Sequence, residues 1–401
     1  MTIRRNKDLD RLRAVAILFV LISHAMLALP WRIGQPPGLF AYTNFWTGVD
    51  LFFVISGFIV TKVLVGALRD ARTRDQVWAA IKSFFVRRAF RIIPLAWLWV
   101  LLVLLMSLCF NTSNELPRPD TVISEFFAIA LNIYNLADAF GWSLLSSNGY
   151  TRFAPYWSLS IEEQFYIFMP LLLLIVRSRI MRIVFLIGTL VFIVLALRPA
   201  MLAITDDINF YLKFTLSRMD PLVCGCLLYF LSSSDFHAKI EPSFLHRRFV
   251  AWAAFAFLAG IVAVVPSLIG PVLKPEKFVI IWPLLDLSCS LLVWTASYDR
   301  NYLFVSEYTE PLFQWLGSRS YALYLSHWPS IWITKEIGFR IAHLIDVSIG
   351  PQLTVLYGAL FIAMALAFAE LTHRLIERPM NRRGHEIAQS IDLRLAHQPS
   401  Y

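Results

Sequence analysis

The residues of this sequence that could do chemistry lie inside or against its apolar runs. His24 stands near the end of "RLRAVAILFVLISHA" (residues 11–25), with Arg13 eleven residues before it. At 1.5 Å per residue the two are roughly 16 Å apart along a helix. If Arg13 marks the cytoplasmic edge, His24 reaches about the middle of a bilayer. An ionisable side chain there costs a few kcal/mol, so its presence calls for a function. An imidazole titrating near pH ~6.5 suits a general base or a nucleophile at neutral pH. The plainer alternative is a histidine that hydrogen-bonds to a neighbouring helix.

Other groups could join it. "TGVDLFFVISGF" (47–58) puts Asp50 at the start of a second apolar run. Its carboxylate could orient His24, or it could simply favour the helix dipole. "FFVRRAFRIIPL" (84–95) offers Arg87, Arg88 and Arg91 at the start of a third. Arg88 and Arg91 share a helix face. Placed at a helix N-terminus they would make a phosphate site rather than an ordinary cytoplasmic anchor. "YWSLSIEEQFYIFMP" (156–170) carries Trp157, Glu162 and Glu163. Ser160 and Glu163 fit a capping box, which would give Glu163 a structural role, while Glu162 is left to align a hydroxyl acceptor. "FTLSRMDPLVCG" (214–225) carries Arg218 and Asp220 as expected partners. "GSRSYALYLSHWPSIW" (317–332) holds His327, and "ELTHRLIERP" (370–379) holds Glu370 and His373. These groups could line one polar cavity. Ser23–His24 and Ser326–His327 are adjacent pairs that point apart on a helix, so neither is a serine–histidine dyad. No GxSxG elbow, HExxH, P-loop or Cys/His metal spacing occurs, so no metal is expected.

The elements that must position these groups are membrane helices. Of 401 residues, 58% are hydrophobic and only 16% charged, with a mean hydropathy of +0.62. That composition argues for an integral membrane protein. The net charge of +9 is attributed to basic cytoplasmic loops rather than to nucleic-acid binding. Cys109, Cys224, Cys226 and Cys289 all fall in apolar stretches and are read as core residues. The first apolar run has charges at its entry and no convincing cleavage site, so it is read as a span, not a signal peptide.

Apolar length gives ten candidate spans, near 12–30, 47–66, 92–110, 158–176, 180–198, 209–231, 249–268, 278–296, 316–338 and 353–373. Segment 122–140 is also apolar but carries Ser124, Glu125, Asn132, Asn135 and Asp138. If it does not cross, one side of the membrane holds about 26 of the 36 Lys and Arg and the other about 7. The expected fold is therefore an all-α polytopic bundle of about ten transmembrane helices with both termini cytoplasmic. Segment 111–157 becomes an outer loop, and Trp31, Trp46, Trp142 and Trp157 suit aromatic belts. No internal repeat is visible, which weighs against the rival reading of a transporter or flippase for a glycan or lipid-linked intermediate.

Taken together, these motifs resemble the membrane-bound acyltransferase family 3. The resemblance rests on Arg13 ahead of His24, "GVDLFFVISGF" (48–58), "RAFR" (88–91), "YWSLSIEEQFY" (156–166), "LGSRSYALYLSHWP" (316–329) and "LIERP" (375–379), which appear in family order. It covers about residues 8–383, and places the acyltransferase domain at 1–383 with a short cytoplasmic tail at 384–401. With only a short basic tail after the last motif, no SGNH-type domain is expected, and the resemblance then implies the stand-alone polysaccharide or exopolysaccharide type.

It further implies a multi-pass protein of the bacterial inner membrane. The activity implied is transfer of an acyl group, usually acetyl, from cytoplasmic acyl-CoA to a hydroxyl of a glycan or lipid-linked saccharide. Arg13, Arg88 and Arg91 would hold the phosphates of acetyl-CoA, the co-substrate, at the cytoplasmic mouth. His24 would act as base or as nucleophile, with Asp50 orienting it. Glu162 would serve the acceptor, with Trp157, Glu163, Arg218 and His327 as further substrate contacts. Partners expected are acyl-CoA, the glycan acceptor and membrane lipids, with no nucleic acid.

Overall fold

The computed structural model describes residues 6–30, 45–141, 153–264, 275–303 and 306–396. Trp31 and Trp142 lie outside the described residues. All regular secondary structure among the described residues is helical. In chain order it comprises α1 (Lys7–Ala28), α2 (Gly48–Asp70), α3 (Arg74–Cys109), α4 (Pro119–Ala130), α5 (Tyr134–Ala139), α6 (Pro155–Ile175), α7 (Arg179–Phe192), α8 (Arg198–Leu202), α9 (Ile208–Lys213), α10 (Asp220–Ser232), α11 (Asp235–Lys239), α12 (Arg248–Val264), α13 (Pro275–Ser297), α14 (Glu310–Ser318), α15 (Ser320–Leu344), α16 (Thr354–Thr372) and α17 (Arg378–Ala396).

Seven helical stretches among the described residues are long and apolar enough to cross a membrane: Lys7–Ala28, Phe45–Asp70, Arg74–Cys109, Pro155–Ile175, Arg179–Leu202, Glu276–Ser297 and Pro351–Asp392. The remaining three sequence-based spans take other forms. Segment 209–231 breaks into α9, a 3-10 turn at Leu216–Arg218 and α10, where Arg218 and Asp220 are buried. Segment 316–338 is divided at Arg319 between α14 and α15, and α12 has 17 residues. In the 111–157 region α4 and α5 have 12 and 6 residues, about 18 and 9 Å, too short for ~30 Å of hydrocarbon.

Local sequence explains the helices that carry the site. α1 starts at Asn6, whose side-chain oxygen accepts from Leu9 N at 2.9 Å, and Asp8 and Asp10 occupy its first turn. α3 starts at a complete capping box of Thr73 and Gln76 and runs for 36 residues, about 54 Å. It therefore outreaches the hydrocarbon, and α17 packs along its first half. There Ser83 donates to Ala388 O at 3.1 Å and to Asp392 Oδ1 at 2.6 Å. Residues 384–396, beyond the boundary drawn from sequence, continue α17 and dock on α3.

α2 and α10 cross in near backbone contact. A Cβ on Gly57 would stand 2.0 Å from Leu222 O, and one on Gly225 2.2 Å from Val54 O. Small residues permit such crossings where lipid supplies no hydrophobic drive between helices. The crossing fixes the rotation of α2 and with it Ser56, the neighbour of Gly57. At its first residue α2 meets α1, where a Cβ on Gly48 would lie 2.4 Å from Ala16 O. α1 is thus held centrally, against α2, α14, α15 and α13.

Candidate active site

A cavity of about 90 Å³ lies between α1, α2, α3, α6 and α15, within a cleft that opens to solvent. Three cations face it: Arg13 from α1, and Arg88 and Arg91 from α3. Arg13 is paired with Asp10 at 2.7 Å. The Arg88 guanidinium lies 4.8 Å from the Tyr166 ring centre and donates to its hydroxyl at 3.3 Å. Among the described residues no hydrogen bond or ion pair reaches Arg91, so its charge is available to a ligand. From sequence, Arg88 and Arg91 are expected at a helix N-terminus. They lie instead fourteen and seventeen residues inside α3, because nothing between Arg74 and Pro94 breaks the helix. The amides at the start of α3 are capped locally, so the anion site consists of side chains.

The wall opposite the arginines is polar. Ser158, Glu162 and Tyr166 recur every four residues on one face of α6. The Glu162 carboxylate accepts from the hydroxyls of Ser56 and Tyr166. One turn nearer the start of α6, Ser158 and the Tyr324 hydroxyl are bonded at 2.6 Å. Glu162 thus shares the arginine cavity. Sequence reasoning missed Tyr166, Ser158 and Tyr324 and gave Ser56 no role. The four-residue repeat of polar groups in an otherwise apolar helix was the signal for the α6 residues.

His24 lies beyond Tyr324. Its Nδ1 is 3.0 Å from Nε2 of His327, and the rings are nearly parallel at 12°. Trp328 packs edge-on against His24 with centroids 5.1 Å apart. The Tyr324 ring, which lines the cavity, is 5.8 Å from that of His327, while neither His24 nor His327 lines the cavity itself. His327 is fully buried and its Nδ1 lies 3.3 Å from Leu323 O. His327, expected among the substrate contacts, is therefore in direct contact with the candidate base.

Asp50 does not orient His24. Its carboxylate pairs with Arg218 Nη1 at 2.8 Å, and both side chains are fully buried. The Arg218 guanidinium sits 4.7 Å from the Trp282 ring centre and 5.7 Å from that of Trp157. Arg218 has no surface for a substrate, and Trp157 serves to enclose it. Arg218 and Asp220 are not partners as the sequence suggested: Asp220 pairs with Arg198 Nη2 at 2.7 Å. Arg198 and Asp286, which sequence reasoning did not single out, complete a buried set of two arginines and three aspartates tying α2, α8, α10 and α13 together. A two-residue offset turns side chains to different sides of the 3-10 turn, so Arg218 and Asp220 reach different helices.

Ser160 and Glu163 form no capping box. α6 begins at Pro155, which is acceptable at the first helical position, so Ser160 is interior. Glu163 faces a separate small pocket with Asn132, Tyr156 and Ser160. Glu370 is held by Arg319 at 2.9 Å and Trp315 Nε1 at 3.0 Å, and His373 by Glu377 at 2.9 Å. Neither lines the cavity. The four cysteines are free, and no three His, Cys, Asp or Glu side chains among the described residues are grouped to hold a metal.

Comparison with known proteins identifies the family. The profile of the acyltransferase domain of family 3 matches residues 6–373. The peptidoglycan O-acetyltransferase OatA of Listeria monocytogenes is 26% identical over 394 residues, covering 94% of this chain and 56% of the relative. A Staphylococcus aureus (strain MSSA476) protein provisionally named an O-acetyltransferase is 28% identical over 392 residues, covering 95% of this chain and 58% of the relative. The chain thus spans less than two thirds of the length of these curated relatives. No solved structure matches significantly. With the profile matching from residue 6 to residue 373, the chain belongs to the membrane-bound acyltransferase family 3.

Proposed function

We propose that the protein transfers an acetyl group from acyl-CoA to a hydroxyl of an envelope or secreted glycan, at the inner membrane of a bacterium. The observation that carries this reading is a cavity that joins three guanidiniums to the polar face of α6 and is also lined by Tyr324, whose ring lies 5.8 Å from that of His327, the partner of His24. The phosphates of CoA lie on Arg88, Arg91 and Arg13 at the cytoplasmic mouth, with bidentate geometry available from each fork. The pantetheine arm then runs past Ser158 and Tyr324, whose hydrogen bond must yield, along the roughly 16 Å that separates Arg13 from His24 on α1.

At His24 the thioester meets the acceptor. Imidazole takes the proton of the sugar hydroxyl as its oxygen bonds to the thioester carbon. The C–S bond then breaks, and the leaving thiolate recovers that proton, giving the O-acetyl ester and free CoA. The names of OatA and its relatives support a glycan acceptor; peptidoglycan, exopolysaccharide, O-antigen and lipo-oligosaccharide all present suitable hydroxyls.

Two measurements test this. Purified protein in nanodiscs should release CoA from acetyl-CoA when a glycan acceptor is present, and His24→Ala should lower kcat by about 10²- to 10⁴-fold. NMR spectra of polysaccharide and muropeptides from a deletion strain should lack one O-acetyl signal. Wild-type turnover by His24→Ala, or unaltered glycans in the deletion strain, would refute the reading.

A further inference from the structure

We infer that His327 is a positioning residue that fixes the proton of His24 on Nδ1 and so leaves Nε2 bare as the base. This deepens the proposed acyl transfer and rests on that reading for its consequence, although the proton placement stands on geometry alone.

A chain of hydrogen bonds runs inward from a backbone oxygen. Leu323 O, one turn before His327, lies 3.3 Å from His327 Nδ1. A carbonyl can only accept, so that nitrogen carries hydrogen. In a neutral ring the other nitrogen, Nε2, then bears a lone pair. It stands 3.0 Å from Nδ1 of His24 and can only accept from it. Nδ1 of His24 is therefore the protonated nitrogen, and with both rings neutral its Nε2 has a free lone pair. Neutral rings also put no bare charge into this apolar surrounding. Trp328 packs edge-on to both rings, with centroids 5.1 Å from His24 and 6.1 Å from His327, and limits their rotation.

The consequence for the reaction is directional. His24 Nε2 accepts the hydroxyl proton, and the resulting imidazolium keeps its Nδ1–H bond to His327. When the thiolate leaves, the same Nε2–H returns the proton. With the tautomer reversed, Nε2 would start as a donor and no base would face the acceptor. The role usually given to a carboxylate behind a catalytic histidine is filled here by a second imidazole backed by a main-chain carbonyl. That also accounts for Asp50 lying elsewhere, since no acid is needed behind His24.

Nitrogen-15 NMR of histidine-labelled protein in nanodiscs reads the proton position directly, because bare and protonated ring nitrogens resonate far apart. The chain has eight histidines, so the His24 signals are assigned by their loss in His24→Asn. Wild type should show a protonated Nδ1 and bare Nε2. In His327→Phe the His24 proton should move towards Nε2, and kcat should fall by about 10²-fold with KM for acetyl-CoA unchanged. His327→Gln, whose amide oxygen reaches the same position, should restore the wild-type proton position and part of the rate. A wild-type His24 protonated on Nε2, or a His327→Phe protein with unchanged tautomer and kcat, would overturn the inference. A correct wild-type tautomer in a protein that transfers no acyl group would instead sink the proposed function.

Discussion

Replacing Arg91 with alanine separates ligand binding from folding more cleanly than any other change at this site. Arg91 faces the cavity and, among the described residues, no partner is stranded by its removal. A hydrogen bond to a charged group contributes about 1.5–3 kcal/mol. At about 1.4 kcal/mol per factor of ten, losing one such contact should raise the Kd of acetyl-CoA about 10- to 100-fold. The control is acetyl-pantetheine, which keeps the thioester and arm but lacks the phosphates. Titration of nanodisc-embedded wild type and Arg91→Ala with both ligands should show a large loss for acetyl-CoA and none for acetyl-pantetheine. Raising salt should shrink the acetyl-CoA difference. Equal affinity of both proteins for acetyl-CoA, or an equal loss for both ligands, would refute the assignment of this arginine to phosphate.

Two further substitutions test the scaffold. Arg218→Leu leaves Asp50 buried without its cation and should destabilise the protein by about 3–5 kcal/mol, read as a lower Tm in detergent. Adding Asp50→Asn should recover much of that loss; a stable Arg218→Leu with weakened acceptor binding would instead restore the substrate role expected from sequence. Gly57→Ala forces a methyl group to 2.0 Å from Leu222 O, and should cost about 1–3 kcal/mol in thermal unfolding while Gly66→Ala, with nothing nearby, costs little. Equal Tm values for the two alanine variants would show that α2 and α10 do not cross this closely.

The arginines and His24 were legible in sequence because each is an expensive residue in an apolar run, and the cost is visible without a structure. The spacing of Arg13 and His24 along α1 was legible too, since helix rise is constant. Where α3 begins was not: the segment before Arg87 is polar enough to read as a loop, yet it is a helix because Thr73 and Gln76 cap it and α17 covers it. The Asp50–His24 pairing was plausible from sequence and failed in three dimensions, because α2 starts against Ala16, eight residues short of His24, and Asp50 meets Arg218 there. The α6 polar stripe was present in the sequence as a four-residue repeat but was obscured by the neighbouring Ser160 and Glu163, whose capping-box pattern had a ready local explanation.

The sequence by itself determined that this chain forms apolar helices, which residues in them are chemically costly, and which family the motifs resemble. All of these depend on residue type and on spacing within a single helix. Only the tertiary structure decided that His24 meets His327, 303 positions away, that Asp50 belongs to Arg218, and that Glu162 shares a cavity with Arg88 and Arg91. Those pairings depend on how each helix is placed and rotated, which is set by crossings such as Gly57 against Leu222 and Gly225 against Val54, where two backbones meet because the glycine has no side chain to keep them apart.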